Sequence, residues 1–245
     1  MQKNNIKLYE HENPNVVYRY VKDKILTFVL IPGAKISENK LAAELEVSRT
    51  VVREAFSTLE EEGYVEVYPQ KGTFVSKINM ERIRQAVTAH NVFEQAIVKE
   101  LCQTGFSPEQ EEQLIDVLYG PNCPSADDIV EIIRIEQYLQ YLLAKFCGKE
   151  YVWNIYRVMD CDLFRIYYLQ YSTFSYRSFA HSLTGKEYAQ VEGRMMVDSI
   201  RRREKDAAAL VFVNRLNMIL MNAESLQKIY PDYFAEGNNS AESIE

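Results

Sequence analysis

Four polar side chains crowd one short segment, VSRTVVREAF at 47–56: Ser48, Arg49, Thr50 and Arg53. Arg49 and Arg53 are one turn apart, so on a helix they share a face. Ser48 can cap such a helix, whose first amides have no intrahelical partners. A helix start with free N–H donors suits a phosphate, and a guanidinium fork suits a guanine edge. The competing reading is a solvated helix start, with both arginines paired to Glu46, Glu54 or water. Lys71, in the turn Gln70-Lys71-Gly72, tips the balance towards nucleic acid, because a lysine there can reach a minor groove.

The elements around these residues follow from pattern. Asn13 and Pro14 open a helix predicted over 14–31, with Val17, Tyr20, Val21, Ile25 and Leu26 on one side. Pro32-Gly33 turns, and Ser37 caps a second helix that faces Leu41, Ala42 and Leu45 inward. The Ser48 helix carries Val52, Ala55, Phe56 and Leu59 and ends at Gly63. YVEVYP (64–69) and TFVSKI (73–78) alternate apolar and polar residues across a turn, which predicts a hairpin. Helix, helix, turn, helix and hairpin make a winged helix-turn-helix, with the Ser48 helix free to enter a major groove.

Beyond Met80 the pattern is helical, with helices predicted near 80–103, 108–118, 126–147, 150–171, 184–203, 205–222 and 224–230. The fold class is therefore mostly α. The expected division is a DNA-binding unit at 1–78, an all-helical unit at 79–235 and a polar tail at 236–245.

Composition narrows the function. Of 245 residues, 47% are hydrophobic and 26% charged, ordinary for a globular protein. The net charge of -7 is uneven: residues 1–78 hold 11 basic and 11 acidic groups, so the remainder carries the whole excess. That argues against broad polyanion binding but not against a small basic face aimed at DNA. The run ILTFVLI is too short to span a bilayer, and MQKNNIKLYEHENPNVV lacks a signal peptide's apolar core. Cys102, Cys123, Cys147 and Cys161 have no metal-like spacing and read as reduced thiols in a cytoplasmic protein. His11, His90 and His181 sit in unrelated settings, and no G-x-S-x-G, P-loop or dinucleotide motif appears, so no enzyme activity is expected.

Residues 32–76 resemble the DNA-binding domain of the GntR family of bacterial transcription regulators. The resemblance rests on Pro32, Gly33, Leu41, Ala42, Val47, Ser48, Arg49, Thr50, Arg53, Glu54, Ala55, Gly63 and Gly72. It implies that Arg49, Thr50 and Arg53 contact an operator and that Lys71 and Gly72 enter the minor groove. Val51 replaces the family's usual proline. Asn39 stands where an arginine is common, and Lys40 beside it is the candidate substitute.

Residues 84–222 resemble the FCD domain, the all-helical effector domain of the FadR-like subfamily, most clearly in EGRMMVDSIRRREKDAAALVFVNRL (192–216). Many such domains hold a metal with one aspartate and three histidines. In register these positions are Cys161, Arg165, Gly193 and Arg215, so neither metal nor cofactor is expected. Two arginines aimed into one cavity need an anion between them. That anion is either a ligand carboxylate or phosphate, or an internal acid among Asp160, Asp162, Asp198 and Asp206. Tyr168 and Tyr188 are further candidates for the pocket wall. The resulting expectation is a homodimeric regulator, repressing from a palindromic operator on double-stranded DNA and answering to a small anionic effector. The alternative is a DNA-binding regulator whose helical domain is structural or answers to a protein partner.

Overall fold

The computed structural model describes residues 15–119, 128–174, 176–177, 182–183 and 185–236. Helix α1 (Val16–Leu26) starts at Asn15, whose side-chain oxygen accepts from the Val17 and Tyr18 amides, and it buries Val17, Tyr18, Val21 and Ile25. Asn13 and Pro14, the expected start, lie outside the described residues. The helix also ends earlier than the apolar run to Ile31 suggests. The Thr27 hydroxyl donates to the Asp23 carbonyl at 2.7 Å, and Phe28 takes a left-handed φ of 56°. Its ring then stacks on Tyr168 and Tyr233, with centroids 5.8 and 5.5 Å away. Tertiary stacking ends this helix against its own periodicity.

Strand β1 (Lys35–Ile36), helices α2 (Glu38–Glu44) and α3 (Arg49–Glu61), and strands β2 (Val65–Tyr68) and β3 (Gly72–Val75) complete the winged unit. Ser37 and Ser48 cap α2 and α3, their hydroxyls accepting from Lys40 N and Val51 N. Val52, Ala55, Phe56 and Leu59 form the buried face of α3, and full burial of such aliphatic and aromatic side chains contributes about 1.5–3 kcal/mol each. The helix closes at Gly63, φ 80°, where Tyr64 N returns to Leu59 O at 2.8 Å. β1 was not legible in the pattern. It pairs antiparallel with β3, giving a three-stranded sheet of order β1-β3-β2.

Helices α4 (Met80–Thr104), α5 (Pro108–Tyr119), α6 (Ile129–Phe146), α7 (Glu150–Tyr156), α8 (Cys161–Thr173), α9 (Gly185–Arg201) and α10 (Lys205–Ile229) follow. Between α8 and α9, the two-residue strands β4 (Tyr176–Arg177) and β5 (Ser182–Leu183) pair antiparallel. The architecture is a winged helix-turn-helix followed by an FCD-type helical bundle. Two expected boundaries differ. The helix read as continuous over 150–171 breaks at a 3-10 turn, Arg157–Met159, where Asp160 turns in to meet His90 Nε2 at 2.7 Å. The two helices read at 205–222 and 224–230 are one, because the buried Ala223 fits the core face of α10 without interruption. The tail beyond Glu236 lies outside the described residues.

The two units are joined by more than a linker. Ile78 forms a parallel bridge with Phe234: Ile78 N donates to Tyr233 O, and Ala235 N to Ile78 O, both at 2.9 Å. Cys161 of α8 packs in the same apolar cluster as α1 and α3. Arg165 donates to Ser76 O at 2.6 Å, and the Ser76 hydroxyl donates to Gly63 O at 2.6 Å. A polar chain therefore runs from α8 to the end of α3.

Candidate nucleic-acid interface and effector site

Opposite its buried face, α3 presents Arg49, Thr50 and Arg53 to solvent, with Ser48 exposed at its cap. Both arginines lean on one acid, Glu38 at the start of α2, at 3.5 and 3.0 Å. Their partner is neither Glu46 nor Glu54. The arginine side chains stay 57% and 62% exposed, and exposed pairs of this kind are worth about 0–1 kcal/mol. A phosphate or a guanine edge can therefore displace Glu38 at little cost. Lys40 is exposed on α2 beside it.

The wing tip is built on two left-handed residues, Gln70 at φ 63° and Gly72 at φ 110°. Lys71 is exposed between them, its amide donating to Tyr68 O at 3.1 Å. A Cβ at position 72 would meet only the movable end of the Lys35 side chain, so it is the φ of 110° that favours glycine here. The structure thus brings Ser48, Arg49, Thr50, Arg53 and Lys40 onto the helix-turn-helix surface and carries Lys71 and Gly72 at the hairpin turn.

The other candidate residues are not assembled into one cluster. Arg165 is fully buried at the junction between the units and pairs with Asp162, Ser76 and Cys161. Asp162 also receives Arg82 Nε at 2.7 Å and Asn79 N at 3.3 Å. Arg215 lies within the helical bundle, donating to Glu94 at 2.6 Å, with the Gln140 amide oxygen turned to accept from the same guanidinium. Among the described residues, the two arginines share no hydrogen-bonding or ion-pair partner. Gly193 lies against Leu118 and Leu139, whose methyls a Cβ would meet at 3.0 and 3.1 Å. The four positions matched to a metal site therefore point to three different places. Among the described residues, no group of three or more His, Cys, Asp or Glu could hold a metal.

Around Arg215 is a network that motif reading did not find. His90 Nδ1 meets Glu94 at 3.2 Å and its Nε2 meets Asp160. Burial pushes His90 down, but Asp160 and Glu94 outweigh it and raise its pKa to about 10. Burial alone would raise Glu94, yet Arg215 and His90 hold its carboxyl below the ordinary range. Burial also pushes Glu136 up to about 7, against the Tyr171 hydroxyl that donates to it at 2.5 Å. This network surrounds a residual space of only about 20 Å³. The signal for it was present: His90 and Glu94 sit four apart on the apolar face of α4 with Ile83, Val87, Ile97 and Leu101.

A larger cleft, about 230 Å³, opens between the winged unit and helices α6 to α8. Of the candidate effector residues, Cys161 and Tyr168 line it; Arg165 and Arg215 do not. Burial pushes the Cys161 thiol up to about 11, so it lines the cleft as a neutral group. Tyr188 lies on α9, but its side chain is outside the described residues.

Residues 14–75 match the family model described as bacterial regulatory proteins, gntR family. The chain is 22% identical, over 90% of its length and 92% of the relative's, to the HTH-type transcriptional repressor RspR of Escherichia coli K12. Over 74 residues, 30% of this chain and 31% of the relative, it is 45% identical to an uncharacterised HTH-type transcriptional regulator from an unstable DNA locus of Streptomyces ambofaciens. A GntR transcriptional regulator structure from Rhodococcus sp. RHA1 superposes with a TM-score of 0.63 at 21% identity, covering 86% of this chain and 95% of that one. E. coli McbR/YncC gives 0.59 at 15% identity, covering 89% and 96%. Residues 14–75 are thus similar to the gntR family of bacterial regulatory proteins, and an all-helical unit follows them in the structure. No helix among the described residues is long and apolar enough to cross a membrane.

Proposed function

We propose that this regulator binds a palindromic operator as a homodimer in the cytoplasm and represses transcription until a small anionic metabolite alters its grip. Residues 1–78 would read the DNA, and 79–235 would sense and dimerise in the manner of the FadR-like subfamily. The observation that carries this reading is the exposed face of α3, where, among the described residues, Glu38 alone pairs with Arg49 and Arg53. α3 would lie in the major groove, with Ser48 and Thr50 on phosphates, Arg49 and Arg53 on bases, and Lys40 on the flanking backbone. Lys71 and Gly72 would enter the adjacent minor groove. One recognition helix covers a half-site, so a two-fold protein matches an inverted repeat. Repression is supported by the similarity to RspR, a transcriptional repressor.

Within the helical domain, Arg165 and Arg215 are each paired with an internal acid, which favours a structural role for both. That observation also supports the second reading, a helical domain that answers to a protein partner. The open cleft beside Cys161 and Tyr168 favours the small-molecule reading.

The test is selection of purified full-length protein against random duplexes, followed by anisotropy titration of the enriched sequence. We expect two inverted half-sites, bound by one dimer and bound more weakly with Arg53→Ala. Enrichment of no sequence, or binding that ignores Arg53, would overturn the operator reading.

A further inference from the structure

The cleft between the two units has the chemistry of a ligand site, and its walls belong to both. Tyr18 and Tyr64 come from the winged unit; Tyr138, Trp153, Phe164 and Tyr168 come from the helical domain. With Tyr141, which also lines it, seven aromatic rings surround one opening and suit a flat, apolar body that can stack. The volume, about 230 Å³, is below the roughly 300–1,000 Å³ usual for drug-sized ligands. It favours one ring over a long chain.

Charge at the rim sets the rest of the ligand. Three cations face the cleft: Lys22, Arg134 and Arg157. Lys22 is held by Glu62 at 3.1 Å. Arg134 is held by Glu131 at 2.5 Å and Asp23 at 3.9 Å. Arg157, on the 3-10 turn between α7 and α8, has no carboxylate within ion-pair distance among the described residues. The nearby acid, Asp160, is committed to His90. One cation is therefore open, and a guanidinium suits a carboxylate held by two parallel bonds. Arg157 follows Trp153 by four residues, so ring and guanidinium project from the same side of the chain.

We propose that this cleft binds a planar aromatic monocarboxylate, its ring among the tyrosines and Trp153 and its carboxylate on Arg157. The proposal rests on the reading of the chain as a small-molecule-responsive regulator, and it puts the effector between the domains, away from the packed network around Arg215. A ligand there touches α1 directly through Tyr18 and, through Tyr64, the segment that follows α3. It would change operator affinity to the extent that it prefers one placement of the winged unit over another.

Trp153 is the single tryptophan of the chain and lines the cleft, so its emission reports occupancy. Full-length protein would be titrated with benzoate, 3-phenylpropionate and 4-hydroxybenzoate. Cyclohexanecarboxylate would be the non-planar control and benzamide the uncharged one. Melting temperature and affinity for the selected operator would be followed in parallel. We expect a saturable change in Trp153 emission and a rise in Tm with the aromatic acids, with both controls at least about tenfold weaker.

Arg157→Gln should weaken binding about tenfold or more. Val158→Phe, which fills the cleft from an exposed lining position, should abolish it. Both changes fall on the surface turn, so unliganded Tm and operator binding should be kept. Binding that raises Tm but ignores both variants and Trp153 would place the site elsewhere, overturning this inference while the responsive-regulator reading stands. No change in emission or Tm with any of the three acids, at intact operator binding, would overturn the inference alone. Failure to select any operator would instead strike the DNA-binding reading.

Discussion

Two pairs of arginines divide this molecule. Arg49 and Arg53 lie on the surface of α3 and share one carboxylate, Glu38. Arg165 is buried and Arg215 largely so, and they have separate carboxylates, Asp162 and Glu94. All four are arginine–acid pairs, yet burial gives them opposite uses. In water a pair is nearly neutral in free energy and can exchange its anion for another. In the interior the charge has lost its hydration, so its partner is obligatory. The first pair is suited to recognition and the second to holding elements in place.

Removing a buried partner should therefore give the largest effect. Arg165→Met takes a guanidinium from Asp162, Ser76 O and the Cys161 thiol, though Arg82 and Asn79 N still serve Asp162. We expect a loss of about 3 kcal/mol, the low end for a broken buried pair, read by urea denaturation. Because Ser76 leads to Gly63 at the end of α3, proteolysis between the units should also quicken. A change below about 0.5 kcal/mol would erase the contrast with the surface pair.

The buried network should also make stability depend on pH. His90 rises from 6.5 unfolded to about 10 folded, so its contribution is complete below pH 6.5 and lost as pH rises towards 10. Glu136 rises from 4.5 to about 7, and its contribution is likewise lost as pH climbs through that window. Glu94 is depressed and acts in the opposite sense, losing its contribution on acidification. Asp160 and Glu94 are the groups facing His90. Tm should fall by several degrees between about pH 6 and about pH 9.5. His90→Gln should flatten the alkaline part of that slope, and a Tm that is level across the window would rule the network out as its source.

How far each region could be read in advance follows from the same contrast. The recognition surface depends on local chemistry: Ser48 as cap, Arg49 and Arg53 one turn apart, Gly72 at a left-handed position. Such features lie within a few residues of each other, and the structure has them where the pattern implied. The buried pairs depend on distant partners. Arg215 meets Glu94 across 121 positions and His90 meets Asp160 across 70, separations that no periodicity encodes. Phe28 is a case between the two. Its apolar neighbours predicted helix, and only stacking on Tyr168 and Tyr233 explains why the helix stops. Of the residues expected around an effector, Tyr168 and Cys161 line the cleft, whereas Trp153 and Arg157, which line it too, carried no such signal in the sequence.

On the exposed side, Arg53→Ala should weaken operator binding by about 1–3 kcal/mol, roughly five- to 150-fold. Its effect on unfolding should stay within about 0.5 kcal/mol. Anisotropy and urea denaturation of the same preparation check both. Equal losses in the two assays would mean that Arg53 is structural, and the surface pair would then join the buried ones.

The smallest effect sharpens the comparison most. Glu38 is the only carboxylate within ion-pair distance of Arg49 and Arg53 among the described residues. If the pair exists to be exchanged, Glu38 competes with DNA for both guanidinium groups. Glu38→Gln keeps the side chain's shape and its place in the first turn of α2 while removing the competing charge. Operator affinity should then rise about twofold, the scale of an exposed ion pair, with the gain greatest at low salt where phosphate attraction is strongest. The same change at Glu94 should do the reverse, destabilising the fold and leaving Arg215 buried without its anion. A drop in operator affinity for Glu38→Gln would show that Glu38 pre-orients the arginines instead of competing for them, making the surface pair a positioned reader and not an exchangeable one.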